Sequence, residues 1–128
     1  MTREIEESLE KAHIELEDAE KIALIGLGRP AARSAYYAAF NAAEAIILAR
    51  TGKIAKTHSG VRSEFARLMK DSGAELRSLA SFLNDAYRFK EIGDYGHGTE
   101  AVITIEEARK LMIGATEFVR LVEKELRR

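Results

Sequence analysis

Apolar side chains recur every three to four residues along almost the whole chain, and four glycine-containing breaks cut that pattern into five segments. Such a stripe is one face of an α-helix; a half-buried strand would alternate instead. The first segment carries Ile5, Leu9, Ala12, Leu16, Ala19 and Ala23. Gly26 or Gly28 can supply its left-handed cap, and Pro30 suits the first turn of the next helix. That second helix, from about residue 30 to 50, is rich in alanine (Ala31, Ala35, Ala38, Ala39, Ala42) and apolar around most of its girth. It belongs at the centre of a bundle. A third helix starts near Thr57 or Ser59, either of which can be its N-cap, and uses Val61, Phe65, Leu68 and Met69. A fourth runs through Leu76, Leu79, Ala80, Leu83 and Tyr87 and is ended by the glycines around Gly93. Thr104 and Glu107 form a capping-box pattern ahead of the last stripe, Ile105 to Leu126, which Gly114 interrupts at a cost of about 1 kcal/mol relative to alanine. The only β-branched cluster, VITI at 102–105, is too short for a sheet. The expectation is an all-α, up-and-down helical bundle of about five helices, with residues 1–128 forming one domain.

Several function classes drop out on composition. No apolar run reaches the roughly 20 residues a membrane span needs, and the N-terminus, MTREIEESLE, is acidic and lacks the apolar core of a signal peptide. There is no cysteine, so no disulfide framework and no thiolate chemistry. A cytoplasmic protein is expected. The net charge of −1 gives no global pull toward nucleic acid. Its distribution is uneven, however. Residues 50–70 hold Arg50, Lys53, Lys56, Arg62, Arg67 and Lys70 against Glu64 alone, a local surface that can contact phosphate.

No phosphate-binding glycine loop, no H-E-x-x-H and no nucleophile elbow is present. Glu10 and His13 make one E-x-x-H pair, where di-iron bundles need two pairs with two further glutamates, so neither a metal nor another cofactor is expected. The stretch AYRFKEIGDYGHG at 86–98, read as the loop after the fourth helix, is the most suggestive. It offers Arg88, Lys90, Asp94 and His97 as candidate catalytic groups: cations for developing phosphorane charge, and a histidine and carboxylate for proton transfer. Asp94 and Tyr95 serve equally well as a turn residue and a packing ring. In KTHSGVRSEF at 56–65, Lys56, His58 and Arg62, with a helix N-terminus, suit phosphate; a plain N-cap with basic neighbours suits the same residues. Tyr95 is the fourth candidate for nucleotide contact. Tyr36 fits the core face of the second helix. Tyr37 and Asn41 share another face one turn apart, as residues of a buried hydrogen bond or a subunit contact do.

Three segments together, RSAYYAAFNAAEAIILARTG at 33–52, KTHSGVRSEF at 56–65 and AYRFKEIGDYG at 86–96, resemble a small branch of the HEPN superfamily (higher eukaryotes and prokaryotes nucleotide-binding). That branch shows R-x-A-Y-Y-A, K-T-H-x-G-V and a late R-x-x-x-D-Y, and the resemblance spans roughly residues 5–125. It implies a helical bundle, commonly a homodimer, paired with a minimal nucleotidyltransferase as toxin with antitoxin. Active members are metal-independent ribonucleases with an R-x(4–6)-H motif completed across the dimer. In this sequence eight residues separate Arg88 from His97, and Lys90 stands where the branch has its arginine. Lysine keeps the charge without the planar two-pronged donor.

Three readings follow. The first is a nucleotide- or RNA-binding module, partnered by a nucleotidyltransferase, with weak or absent nuclease activity. The second is an active metal-independent ribonuclease toxin that uses Arg88 or Lys90 with His97 or His58. The third is a non-catalytic interaction or dimerisation bundle. Whether the basic stretch and the 88–97 segment lie on one surface decides much between them.

Overall fold

The computed structural model describes residues 1–98 and 102–128 and contains five helices. They are α1 (Arg3–Leu24), α2 (Gly28–Thr51), α3 (His58–Met69), α4 (Ala74–Tyr95) and α5 (Ile105–Leu126). Among the described residues there is no strand, and no helix is long and apolar enough to cross a membrane.

Local chemistry sets the helix ends. The Thr2 hydroxyl accepts from Ile5 N, and Glu4 and Glu6 sit in the first turn of α1, where they complement the helix dipole. Gly52 (φ 71°) closes α2 in the left-handed conformation. Of the two candidate caps for α3, Thr57 is the one used: its hydroxyl accepts from Gly60 N at 2.9 Å. Thr104 and Glu107 complete their capping box at the start of α5.

Helix α2 packs against all four others, and its alanines are fully buried, which lets neighbouring backbones come close. Around it, Tyr36, Phe65, Phe118, Ile46, Met69 and Leu83 are buried completely, with Phe65 and Phe118 stacked at 5.1 Å. Two glycines mark the tightest approaches. A Cβ on Gly28 would lie 2.1 Å from the carbonyl oxygen of Ile103, so the start of α2 is pressed against the backbone leading into α5. One on Gly114 would lie 2.2 Å from the Phe82 ring, so the glycine that weakens α5 also admits that ring.

One element differs from the sequence expectation in a way that matters for the site. Helix α4 does not stop near Gly93 but runs to Tyr95, so Arg88, Lys90, Asp94 and Tyr95 are helical rather than in a loop. Gly93 is buried, and a Cβ there would lie 2.8 Å from Arg29 Cγ and 3.2 Å from Ile103. The glycine answers to close packing. Gly96 ends the helix, its N–H donating to Ile92 O at 2.8 Å.

Candidate functional site

Three helices turn a polar and aromatic face toward one place. On α2 these are Arg33, Tyr36, Tyr37 and Phe40; on α3, His58 and Arg62; on α4, Tyr87, Lys90, Glu91 and Asp94. The spacings i, i+3, i+4, i+7 on α2 and α4, and i, i+4 on α3, put each set on a single helix face.

His58 lies at the middle. Its Nδ1 shares a 2.6 Å hydrogen bond with the hydroxyl of buried Tyr36. Its ring sits 4.8 Å from Phe40 and 5.7 Å from both Tyr36 and Tyr87, centre to centre. The Arg62 guanidinium stands 3.8 Å over the Tyr87 ring, a cation–π contact. Lys90 is buried, with its Nζ 3.0 Å from Asp94 Oδ2 and 3.9 Å from Glu91 Oε2. Tyr87 donates its hydroxyl proton to the other oxygen of Glu91. Arg33 Nε lies 3.6 Å from Asp94 Oδ1, and its guanidinium covers the Tyr37 ring at 4.9 Å. Among the described residues, two buried side-chain atoms, Arg62 Nη1 and Glu91 Oε2, have no hydrogen-bond partner.

The electrostatics follow from burial and neighbours. Desolvation, then Lys90 and Arg62, push the His58 pKa below 6.5 against the pull of Glu91, so the imidazole is neutral at pH 7. Desolvation drives the Tyr36 phenol well above its usual value, which keeps it protonated. Desolvation opposes the charge on Lys90, but the Asp94 hydrogen bond, with Tyr37 and Glu91 nearby, outweighs it and raises the pKa. Tyr87 is raised chiefly by its bond to Glu91. The cluster thus holds three cations, a neutral imidazole able to take a proton, and two carboxylates. Such a set can bind an anion and move a proton beside it.

The candidates from the sequence divide. His58, Arg62, Lys90 and Asp94 come together, with Tyr37 beside them and exposed Tyr95 at the edge, 5.6 Å from Lys90 Nζ. Of the basic 50–70 stretch, Arg62 reaches the end of α4, together with His58, while Arg50 pairs with Glu125 and Arg67 with Glu64. Arg88 is off that face, exposed and paired with Asp85. His97 is exposed beyond the end of α4, and Lys56 is exposed ahead of α3. Asn41 lines a separate cleft of about 220 Å³ with Glu4, Glu7, Lys11 and Glu44. His13 pairs with Glu123 of α5 instead of Glu10. Sequence reasoning missed Arg33, Tyr87 and Glu91 as members of the cluster and gave Tyr36 a packing role only. The i, i+3, i+4, i+7 run of polar and ring residues from Tyr87 to Asp94 was the available signal, hidden by ending the helix too early.

Comparison with known proteins identifies the family. A family model for the HEPN domain matches residues 5–125. The chain is similar to a protein of Methanocaldococcus jannaschii named "Putative toxin MJ0142", with 30% identity over 124 residues that cover 97% of this chain and 82% of that protein. The crystal structure of TT1696 from Thermus thermophilus superposes with a TM-score of 0.76 at 26% identity, covering 96% of this chain and 98% of the other. The chain belongs to the HEPN domain family.

Proposed function

We propose that this HEPN domain binds the phosphate of a nucleotide or RNA at the His58–Arg62–Lys90 cluster. It acts there as the toxin-side member of a pair with a minimal nucleotidyltransferase, works as a homodimer in the cytoplasm, and has weak or absent nuclease activity. One observation carries the binding reading: Arg62 Nη1 is buried without a partner, next to a neutral imidazole and a buried ammonium. A buried guanidinium N–H left unpaired costs about 1–3 kcal/mol, and a phosphate oxygen would satisfy it. The name of the Methanocaldococcus relative supports the toxin role. The reading of low nuclease activity is supported by Arg88 and His97. Both are exposed, and Arg88 is tied to Asp85 on a different face from the cluster.

Binding of a 5′-mononucleotide, measured by calorimetry on wild type, Arg62→Gln and Lys90→Met, tests the reading. Loss of at least tenfold in affinity in both variants is expected, about 1.4 kcal/mol or more. Wild type that binds no nucleotide at millimolar concentration would sink it. The placement of a neutral His58 between two cations favours a second reading, a metal-independent ribonuclease with His58 as the proton acceptor. Incubation with total RNA without metal separates the two. Cleavage that disappears in His58→Ala supports the enzyme, and cleavage lost in Arg88→Ala or His97→Ala instead would move its centre off the cluster.

A further inference from the structure

Asp94 faces two ways. Its Oδ2 holds Lys90 at 3.0 Å, and its Oδ1 lies 3.6 Å from Arg33. Beyond Arg33 a cleft of about 440 Å³ opens, lined by Arg29, Pro30, Arg33, Gly93, Asp94 and Tyr95. That volume lies within the range of about 300–1,000 Å³ usual for sites that take a small ligand. We infer that this cleft is a second subsite that takes the adjoining phosphate and base of a single RNA strand whose first phosphate occupies the inner cluster. The inference rests on the phosphate-binding reading above and narrows its ligand from a nucleotide or RNA to a single RNA strand.

The charge and donor count of the cleft fit a phosphodiester. Arg29 and Arg33 stand one turn apart, roughly 6 Å along α2 at 1.5 Å per residue. Arg29 spends Nη1 on the carbonyl of Gly93, at 3.4 Å, and a guanidinium has four further N–H donors. The Arg33 side chain is 53% exposed. The carboxylate among the lining residues is Asp94, which Lys90 already shares. Gly93 makes room for Arg29, since a Cβ there would sit 2.8 Å from Arg29 Cγ. The packing that keeps glycine inside α4 therefore also lays Arg29 along the cleft.

Tyr95 selects for an unpaired strand. It is 70% exposed, although it lies on the last turn of a well-packed helix. An open aromatic face beside cations is a stacking platform for a base, and only an unpaired base can reach it. Asp94 joins the two subsites, because its two oxygens hold the cation of each.

Anisotropy titration of a labelled oligoribonucleotide of about six residues, with a 5′-mononucleotide titrated in parallel, tests this. The proteins are wild type, Arg29→Ala, Tyr95→Ala and Arg62→Gln. Arg29→Ala and Tyr95→Ala should each weaken oligonucleotide binding about tenfold, and at least several-fold more than mononucleotide binding. Arg29→Ala should also flatten the slope of log affinity against log salt by about 0.7, the contribution of one single-strand phosphate. Arg62→Gln should weaken both ligands. Oligonucleotide affinity and salt slope unchanged in both subsite variants would overturn the subsite and leave the inner cluster standing. Wild type that binds neither ligand would overturn the phosphate reading and the subsite with it. Tyr95 is exposed, so its variant reports on binding even where loss of the Arg29–Gly93 bond weakens the fold.

Discussion

Replacing Lys90 by methionine keeps most of the aliphatic stem and removes the ammonium from between Asp94 and Glu91. The side chain is only 9% exposed, and its Nζ is 3.0 Å from Asp94 and 3.9 Å from Glu91. Removing one member of a fully buried pair costs about 3–5 kcal/mol, mostly through the charge left behind. Here the discount is large. Asp94 is 24% exposed and has Arg33 at 3.6 Å, and Glu91 is 35% exposed, so both carboxylates can rehydrate or re-pair. The expected loss is about 1–2 kcal/mol, read as a lower urea midpoint at unchanged slope. Lys90→Met combined with Asp94→Asn should cost less than the two single changes added together, because neither charge is then stranded. The Lys90 pKa is raised above 10.5 in the folded chain, so its contribution is complete below that pH and is lost as pH rises through the folded value. The gap between wild type and Lys90→Met should accordingly narrow above pH 10.5. Single costs that add to within about 0.3 kcal/mol, or a methionine variant as stable as wild type, would refute the pairing.

The remaining expectations concern other parts of the molecule. The His58 pKa lies below 6.5 in the fold, so the unfolded chain binds more protons on the acid side and stability falls as pH drops through 6.5. His58→Gln should remove that part of the acid loss, seen as a shallower decline of the unfolding midpoint between about pH 7 and pH 5. Gly28→Ala drives a Cβ into the Ile103 carbonyl, 2.1 Å away on backbone that cannot rotate aside. It should cost about 2 kcal/mol or more in chemical denaturation, on the scale of overpacking. Thr104→Ala removes the hydroxyl of the α5 capping box and should cost about 1 kcal/mol in the same assay.

The fold was legible in the sequence because its signals are local. Each stripe reports one helix face, the break at Gly52 is a true left-handed cap, and Thr104 with Glu107 marks the start of α5. Half of the site was legible as well, since residue types suited to phosphate stood at His58, Arg62, Lys90 and Asp94. What sequence could not supply was the third dimension. Gly93 reads as a helix breaker until the Arg29 stem is seen lying against it. Ending α4 there turned Arg88, Lys90 and His97 into neighbours in one loop. A continuous helix instead points Lys90 and Asp94 toward His58 and leaves Arg88 with Asp85. Tyr36 was legible as core, but its hydrogen bond to His58 depends on how α3 docks against α2. Tyr87 likewise counted as one more apolar position until Arg62 was found over its ring.

The histidines allow the direct test of phosphate binding at the cluster. The chain has three, and only His58 lies among Arg62, Lys90 and Tyr36, while His13 pairs with Glu123 and His97 is exposed beyond α4. Imidazole proton resonances followed during titration with a short oligoribonucleotide, at several pH values, report each one separately. A phosphate seated beside His58 should shift its resonances in a saturable way and raise its pKa, because the added negative charge favours the imidazolium. His13 should not move. Saturable binding that leaves the shift and pKa of His58 unchanged would contradict the assignment of the site.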